Sequence, residues 1–297
     1  MTAASLEHEH ELVRSFDGTM IAARRMGDAG RNGDALPLLV VNAVGATLAS
    51  WRKVLIDIVR DRSVIAWDQR GLLDSGPLAS DRLDPGAHAE DAVAVLDHHS
   101  VDRCVIGSWS NGSRIALELM ARYPERIAAA TIVSGGYGHP LWRFLRLELV
   151  SSLPVVAGVA KHFASSFEGP FRALVRRPEL PGLIRQSGFV GPTADIPALV
   201  ELLHGLATCD LRVLLATFEA VAGDAGTDLL SEVECPTLIV AGDRDPFTPH
   251  AMQYEMAEHI PVSRLEVYER ATHYLPMEFP ARLSHDMRTF LEEAVTP

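Results

Sequence analysis

The chain has 297 residues, a formal net charge of −12 and 47% hydrophobic residues. This composition supplies enough apolar side chains for one large domain or two small ones with a buried core. The acidic balance and the absence of Lys/Arg runs exclude nucleic acid as the expected partner.

Apolar strand patterns alternate with helical patterns over the first 133 residues. We expect two strands at 10–15 and 19–26, joined by the hairpin turn Asp17-Gly18. Strands and helices then alternate, and these predicted elements span 37–42, 47–60, 63–67, 87–98, 102–107 and 127–133. Such alternation is typical of a parallel sheet with helices on its faces.

A sharp strand-to-helix turn is predicted around Ser110. An apolar run leads into it, a helical pattern leads out, and the small residues Ser108 and Gly112 lie two positions to either side. This layout is typical of a nucleophile elbow, which exposes one serine above a sheet. The next helix is expected to begin near Asn111, so that its N-terminus faces a developing oxyanion. We predict Ser110 as the nucleophile, and the alternative is an ordinary strand–turn–helix crossover.

The alternation stops between residues 138 and 231. Apolar helical patterns broken by prolines predict four to six short helices there. We expect an all-helical lid over 138–231, inserted after the sixth strand, and a core made of 1–137 and 232–297. Such a lid would exclude water and shape a pocket, whereas the alternative is a helical subdomain that serves packing alone.

Two loops near the end of the chain carry candidate partners for Ser110. A strand predicted at 235–242 leads into a loop that contains Asp243 and Asp245. We prefer Asp245, because the carboxylate further from the strand can reach a histidine, and we expect Asp243 to stabilise its own loop. His273 lies in the loop after the last strand. His273 would serve as general base and acid, and Asp245 would orient it.

With these segments, the chain resembles the α/β-hydrolase superfamily, in particular its lidded serine esterase, lactonase and thioesterase branch. The resemblance covers nearly the whole chain outside the lid, and the chain order Ser, Asp, His agrees with it. It rests on the elbow and four further segments: Phe16-Asp17-Gly18, Trp67-Asp68-Gln69-Arg70-Gly71, Gly242-Asp243-Arg244-Asp245 and Thr272-His273. It implies an α/β fold with an eight-stranded, mostly parallel sheet flanked by helices.

The resemblance also implies where the oxyanion hole lies. The family has a His-Gly-x-Gly segment after its third strand, and the matching residues here are Asn42-Ala43-Val44-Gly45. The implied donors are the backbone N–H groups of Val44 and Asn111. Asn42 and Asn111 are departures from the residues usual in the family. Three residues near these segments are candidates for the wall of the substrate pocket: Asn42, Trp109 and Tyr274.

The leading hypothesis is a serine hydrolase that cleaves a carboxylic ester, lactone or thioester with an apolar acyl group through an acyl-Ser110 intermediate. A second hypothesis keeps the fold and the triad but assigns C–C bond hydrolysis, lyase, perhydrolase or cofactor-free oxygenase chemistry. A third is a non-catalytic ligand-binding protein. We expect a small-molecule substrate and no cofactor or metal. The sequence does not predict the oligomeric state.

The cellular setting is predicted from cysteine usage and apolar runs. Cys104, Cys209 and Cys235 are widely spaced and lack the spacing of metal or redox motifs, which favours a reduced, cytoplasmic setting. The N-terminus shows no secretory signal pattern. No apolar run approaches the ~18 residues of a transmembrane helix, so we expect no membrane association.

Overall fold

The computed structural model describes residues 10–27, 35–138, 164–223 and 226–295. Within these residues, eight strands form one sheet in the order β1-β2-β4-β3-β5-β6-β7-β8. The strands are β1 Glu11–Arg14, β2 Met20–Met26, β3 Leu38–Val41, β4 Val64–Trp67, β5 Cys104–Trp109, β6 Ile127–Val133, β7 Thr237–Gly242 and β8 Ser263–Tyr268.

Strand direction divides the sheet into a short antiparallel edge and a parallel body. β2 pairs antiparallel with both β1 and β4, whereas β3 to β8 pair parallel to one another. All residues of β3, β4, β5, β6 and β7 are buried. Such continuously apolar strands are typical of a parallel sheet covered on both faces. The predicted eight-stranded, mostly parallel sheet is confirmed.

Helices pack on both faces of this sheet. The described helices are α1 Arg52–Ile58, α2 Pro85–His98, α3 Gly112–Arg122, α4 Ala164–Val175, α5 Leu180–Gln186, α6 Ile196–Thr208, α7 Leu211–Gly223, α8 His250–His259, α9 Leu275–Glu278 and α10 Pro280–Val295. Leu38 and Val40 of β3 belong to a core cluster that includes residues of α1 and α10. Leu39 belongs to a second cluster with residues of α2, α3 and α8. This separation follows from the alternation of side chains along a strand.

Helices α4 to α7 lie between β6 and β7 in the chain, where the sequence predicts a lid. Residues of α7 pack on the segments after β3 and β4, since Leu211 and Leu214 form an apolar cluster with Val44 and Leu72. Residues 139–163, 224 and 225 of the predicted lid lie outside the described residues. The boundaries 138 and 231 therefore stay a prediction.

The strand that leads into the elbow ends two residues later than the sequence predicts. β5 extends to Trp109, not to 107, because Ser108 and Trp109 pair with Ile132 and Val133 of β6. The helix predicted at 47–60 starts as a 3-10 turn, Leu48–Trp51, before α1. Every helix in the described ranges is too short or too polar to cross a membrane.

Candidate active site

Ser110 occupies a strained turn between β5 and α3. Its φ of +57° lies in the left-handed region that residues other than glycine rarely adopt. The Ser110 N–H donates to Val133 O at 3.0 Å, and Ser110 O accepts the Ser113 N–H at 3.0 Å. Strain of this kind persists where surrounding contacts fix the backbone, and it often accompanies function. The structure therefore holds Ser110 in the geometry expected of a nucleophile elbow.

The small neighbours of Ser110 are required by close backbone approach. A Cβ atom on Gly112 would lie 2.4 Å from Asn42 O and 2.5 Å from Val41 O. Ser108 is fully buried, and its Oγ lies 3.1 Å from Ser113 Oγ. A larger residue at 112 would push α3 away from the loop after β3.

The structure brings Ser110, His273 and Asp245 into one chain of hydrogen bonds. His273 Nε2 lies 2.7 Å from Ser110 Oγ, and His273 Nδ1 lies 2.8 Å from Asp245 Oδ2. Both distances are within hydrogen-bond reach for proton transfer. His273 and Asp245 are only 6% and 7% exposed, so water has little access to the bond between them.

Asp245 is held ionised by its partners. Burial by itself raises the pKa of this carboxyl, but the charge of His273 and hydrogen bonds from His273 and Thr248 outweigh it, so that the net pKa is lowered. Asp245 Oδ1 accepts the N–H groups of Phe247 and Thr248 at 2.8 and 2.9 Å, and Oδ2 accepts the Thr248 hydroxyl at 2.7 Å. Asp243, the alternative acid, is exposed. Sequence reasoning missed Thr248, although an Asp followed three residues later by Thr is a recognisable turn motif.

Three aromatic rings surround the imidazole of His273. The centroids of Phe247, Tyr274 and Trp109 lie 5.1, 5.7 and 5.9 Å from it. Trp109 is 2% exposed, and its Nε1 donates to the His273 carbonyl oxygen at 2.9 Å. Burial raises the pKa of Tyr274 to about 12, and the charges of Asp245 and Glu278 add to the shift, so its hydroxyl stays neutral.

Glu278 connects the His273 loop to the segment between α5 and α6. This buried carboxylate accepts the Thr272 N–H at 2.8 Å through Oε2 and the Gly191 N–H at 2.7 Å through Oε1. The Thr272 hydroxyl donates to Oε1 as well. Sequence reasoning missed Glu278. The available signal was an acidic residue within the apolar run that follows His273.

The loop that carries Val44 is organised by Asn42. The Asn42 Nδ2 donates to Ala46 O and Thr47 O at 2.9 and 3.0 Å, and Oδ1 accepts the Ala43 N–H and Trp51 Nε1–H at 3.0 and 3.2 Å. These bonds occupy the whole amide. The amide of Asn42 thus bonds to its own loop and to Trp51, and a place for Asn42 in the substrate pocket stays a prediction.

A cavity of about 220 Å³ opens at Ser110. Its described lining residues are Ser110, Asn111, Arg114, Gly136, Gly138, Phe218, Val221, Phe247, Thr248, His273 and Tyr274. Tyr274 lies in the wall of this cavity, and its contact with a substrate stays a prediction. Trp109 does not belong to the described lining, because its indole packs behind His273 and Tyr274. Phe218, Val221, Phe247 and Tyr274 make the wall largely apolar beside Ser110 and His273.

Side chains with metal-ligand geometry meet elsewhere among the described residues, at Glu11, His98 and His99. His98 Nε2 lies 2.6 Å from Glu11 Oε2, which is the geometry of an exposed ion pair when the histidine is protonated. This cluster shares no residue with the cavity at Ser110. The absence of a metal or cofactor from the chemistry stays a prediction.

Comparison with known proteins places this geometry in a family context. The chain is 27% identical over 265 residues to 3-oxoadipate enol-lactonase 2 of Acinetobacter baylyi. The alignment covers 87% of this chain and 90% of that one. It is 26% identical over 293 residues to 2-hydroxymuconate semialdehyde hydrolase of a Pseudomonas species, with 93% of each chain covered. A solved enol-lactonase from Burkholderia xenovorans shares the fold with a TM-score of 0.74, at 17% identity over 95% of this chain and 99% of that one.

The model of the alpha/beta hydrolase fold family matches residues 37–280, which include the elbow and both loops that carry Asp245 and His273. This match spans most of the chain and agrees with the eight-stranded sheet described above. The chain therefore belongs to the alpha/beta hydrolase fold family.

Proposed function

We propose that this protein is a serine hydrolase that cleaves a carboxylic ester, lactone or thioester through an acyl-Ser110 intermediate. One observation carries the proposal: the hydrogen-bonded chain from Asp245 through His273 to Ser110 ends at an apolar cavity. A serine hydroxyl is a weak nucleophile until an adjacent base takes its proton. Among the relatives named above, the enol-lactonase supports this ester chemistry, whereas the 2-hydroxymuconate semialdehyde hydrolase fits the alternative of C–C bond hydrolysis by the same three residues.

The steps follow from the positions of the three side chains. Ser110 Oγ attacks the substrate carbonyl carbon while His273 Nε2 accepts the hydroxyl proton across 2.7 Å. The imidazolium then donates that proton to the leaving oxygen or sulfur, and the acyl group stays on Ser110. In the second half, His273 activates a water that releases the acid. Asp245 fixes the tautomer of His273 and stabilises its positive charge.

The tetrahedral intermediate places a negative charge on the former carbonyl oxygen. We assign its stabilisation to the backbone N–H groups of Val44 and Asn111. Asn111 directly precedes α3, and the positive end of that helix dipole adds to the stabilisation. Preorganised donors of this kind are often the largest single contribution to catalysis.

The size and lining of the cavity point to a small acyl group. About 220 Å³ is below the ~300–1,000 Å³ of pockets for drug-sized ligands. Phe218, Val221, Phe247 and Tyr274 supply an apolar wall. A short acyl chain or a single lactone ring fits this space. We assign the helices α4 to α7 to a cap, 138–231, that closes over the site, with 1–137 and 232–297 as the core.

A reducing compartment such as the cytoplasm fits the three cysteines. Cys104, Cys209 and Cys235 are all unpaired. Burial is the main reason that the pKa of each thiol is raised, so the thiols are poorly reactive.

The proposal is tested by comparing wild type, Ser110→Ala and Ser187→Ala on a panel of short-chain p-nitrophenyl esters, lactones and thioesters. Ser187 is an exposed serine on the cap and serves as the matched control. We expect turnover of at least one of these substrate classes by wild type and by Ser187→Ala, and its loss in Ser110→Ala with an unchanged thermal unfolding curve. Equal turnover by Ser110→Ala, or no turnover of any panel member by wild type, would contradict the proposal.

A further inference from the structure

The side chain of Asn111 faces the loop of Val44 and not its own helix. An asparagine directly before a helix ordinarily accepts a hydrogen bond from the first turn. Here the backbone of Asn111 is already helical, with φ −67° and ψ −14°, and among the described residues its side chain makes no such cap. Instead, Asn111 Oδ1 accepts the Val44 N–H at 2.9 Å. An amide that the helix does not use therefore bonds to a proposed donor of the oxyanion hole.

The two partners of this bond differ in their freedom to move. Val44 is buried in a loop that the four hydrogen bonds of Asn42 hold in place. Gln69 Nε2 adds a further bond, of 3.1 Å, to Asn42 O. Asn111 is half-buried at the cavity wall, and its amide can rotate about side-chain bonds. Rotation of the Asn111 amide would therefore break this bond and leave the Val44 N–H in position.

An N–H group has one hydrogen, so Val44 cannot give a linear bond to Asn111 Oδ1 and to a substrate oxygen at once. We propose that the Asn111 side chain competes with the substrate for the oxyanion hole, because its Oδ1 occupies the Val44 N–H in the free enzyme and must rotate away before catalysis. The inference rests on the proposed function, in which the Val44 N–H stabilises the tetrahedral intermediate. Asn111 thus contributes a backbone donor and a side-chain competitor to the same hole.

The competitor has a defined energetic consequence. Each substrate that enters the hole replaces a hydrogen bond within the protein by one between protein and substrate. Without the Asn111 amide, the substrate no longer has to replace that hydrogen bond within the protein. A water molecule then bonds the Val44 N–H in the free enzyme and is displaced by the substrate. Because a net intramolecular hydrogen bond is a modest contribution, we expect a rise of about three- to tenfold in kcat/KM.

The experiment compares wild type with Asn111→Ala and Asn111→Asp on p-nitrophenyl butyrate. Alanine removes the competitor, and we expect the faster hydrolysis just described. Aspartate keeps the size of the side chain but presents a charged acceptor, which bonds the Val44 N–H more strongly. We expect kcat/KM of Asn111→Asp to fall below wild type at pH 7. A carboxylate at a helix N-terminus is favourable, so this variant is expected to fold.

A second readout separates competition from other roles of Asn111. Phenylboronic acid forms a tetrahedral adduct with an active-site serine and places an oxygen in the oxyanion hole. We expect its inhibition constant to decrease in Asn111→Ala by about the factor by which kcat/KM increases. A donor role for the amide nitrogen predicts slower hydrolysis by the alanine variant. A purely structural role predicts slower hydrolysis by both variants and a lower Tm.

The proposal is supported if kcat/KM is highest for Asn111→Ala, intermediate for wild type and lowest for Asn111→Asp. An alanine variant no faster than wild type, or an aspartate variant as fast as wild type, overturns it. If Asn111→Ala does not fold, Asn111→Asp still decides, because the competitor predicts a higher inhibition constant of phenylboronic acid and slower hydrolysis at an unchanged Tm, whereas a structural role lowers the Tm. Failure of the competitor is distinguishable from failure of the proposed function, since only the latter leaves Ser110→Ala as active as wild type or leaves wild type inactive on the whole substrate panel.

Discussion

Trp109 Nε1 donates a hydrogen bond of 2.9 Å to the main-chain carbonyl oxygen of His273. The bond joins the last residue of β5 to a loop 164 positions later in the chain. Because Trp109 directly precedes Ser110, the same strand end positions the nucleophile and the backbone of the base. We therefore expect the distance between Ser110 Oγ and His273 Nε2 to depend on this indole.

Trp109→Phe removes the hydrogen bond and keeps most of the ring. We expect kcat to fall by about tenfold, since small displacements of a catalytic group are costly. Trp67→Phe is the matched control, because Trp67 is also buried and its Nε1 has no hydrogen-bond partner among the described residues. Steady-state kinetics on one ester check the prediction. Equal kcat values for the two variants would show that the bond to His273 does not position the base.

Asp245→Asn tests which acid serves His273. An asparagine keeps the shape of the side chain but cannot hold the imidazole in the same way or stabilise its positive charge. We expect kcat to fall by about 10³- to 10⁴-fold. Asp243→Asn changes an exposed carboxylate of the same loop and should leave kcat near that of wild type. The reverse pattern in a kinetic assay would assign the role to Asp243.

Glu278→Gln tests the connection between the His273 loop and the segment before α6. The amide nitrogen of glutamine would face an N–H donor of Thr272 or Gly191 and leave it unsatisfied. An unsatisfied buried donor costs about 1–3 kcal/mol, so we expect a lower free energy of unfolding and a lower kcat. Glu269→Gln alters an exposed glutamate and is the control. Urea denaturation measures the effect, and equal unfolding midpoints for the two variants would speak against the connection.

His88 makes stability depend on pH. Burial lowers the pKa of this fully buried imidazole to about 3, and the positive charge of Arg70 adds to the shift. The unfolded chain binds a proton on His88 near its ordinary pKa of about 6.5, whereas the folded chain does not. The stabilisation from the neutral imidazole is therefore fully present above pH ~6.5. It is lost progressively as the pH falls toward 3, at about 1.4 kcal/mol per pH unit.

The test compares denaturant unfolding of wild type and His88→Leu between pH 7 and pH 5. We expect the free energy of unfolding to fall less between pH 7 and pH 5 in the variant than in wild type. The difference corresponds to the uptake of one proton on unfolding, which is about 1.4 kcal/mol per pH unit below pH ~6.5. His285→Leu changes an exposed histidine and is the matched control for the loss of one histidine. Parallel pH curves for wild type and His88→Leu would be inconsistent with a neutral, buried His88.

Local sequence patterns were sufficient to predict the strands of the sheet and the chain order of the candidate triad. β6 was predicted with the bounds that the structure gives, because its apolar run is flanked by clear turns. The candidate triad was predicted because each member follows a strand at the same edge of a parallel sheet, which the spacing of strands reveals. The end of β5 was missed by two residues, since Ser108 and Trp109 extend the strand only through pairing with β6.

Contacts between residues far apart in the chain could not be predicted from the sequence. The bond between Asn111 and Val44 spans 67 positions and depends on the helical backbone of Asn111, which local propensity does not specify. Asn42 was placed in the pocket wall because of its position, yet its amide is used within its own loop. Glu278 links two loops that approach each other only in the folded chain.

The central claim is that Ser110 carries the acyl group. Rapid quenching of the enzyme with a short p-nitrophenyl ester, followed by peptide mass spectrometry, tests it most directly. We expect the mass of the acyl group on the peptide that contains Ser110 in wild type and in Ser187→Ala, with no such adduct in Ser110→Ala. Rapid turnover with an adduct on another residue, or continued turnover by Ser110→Ala, would contradict the account.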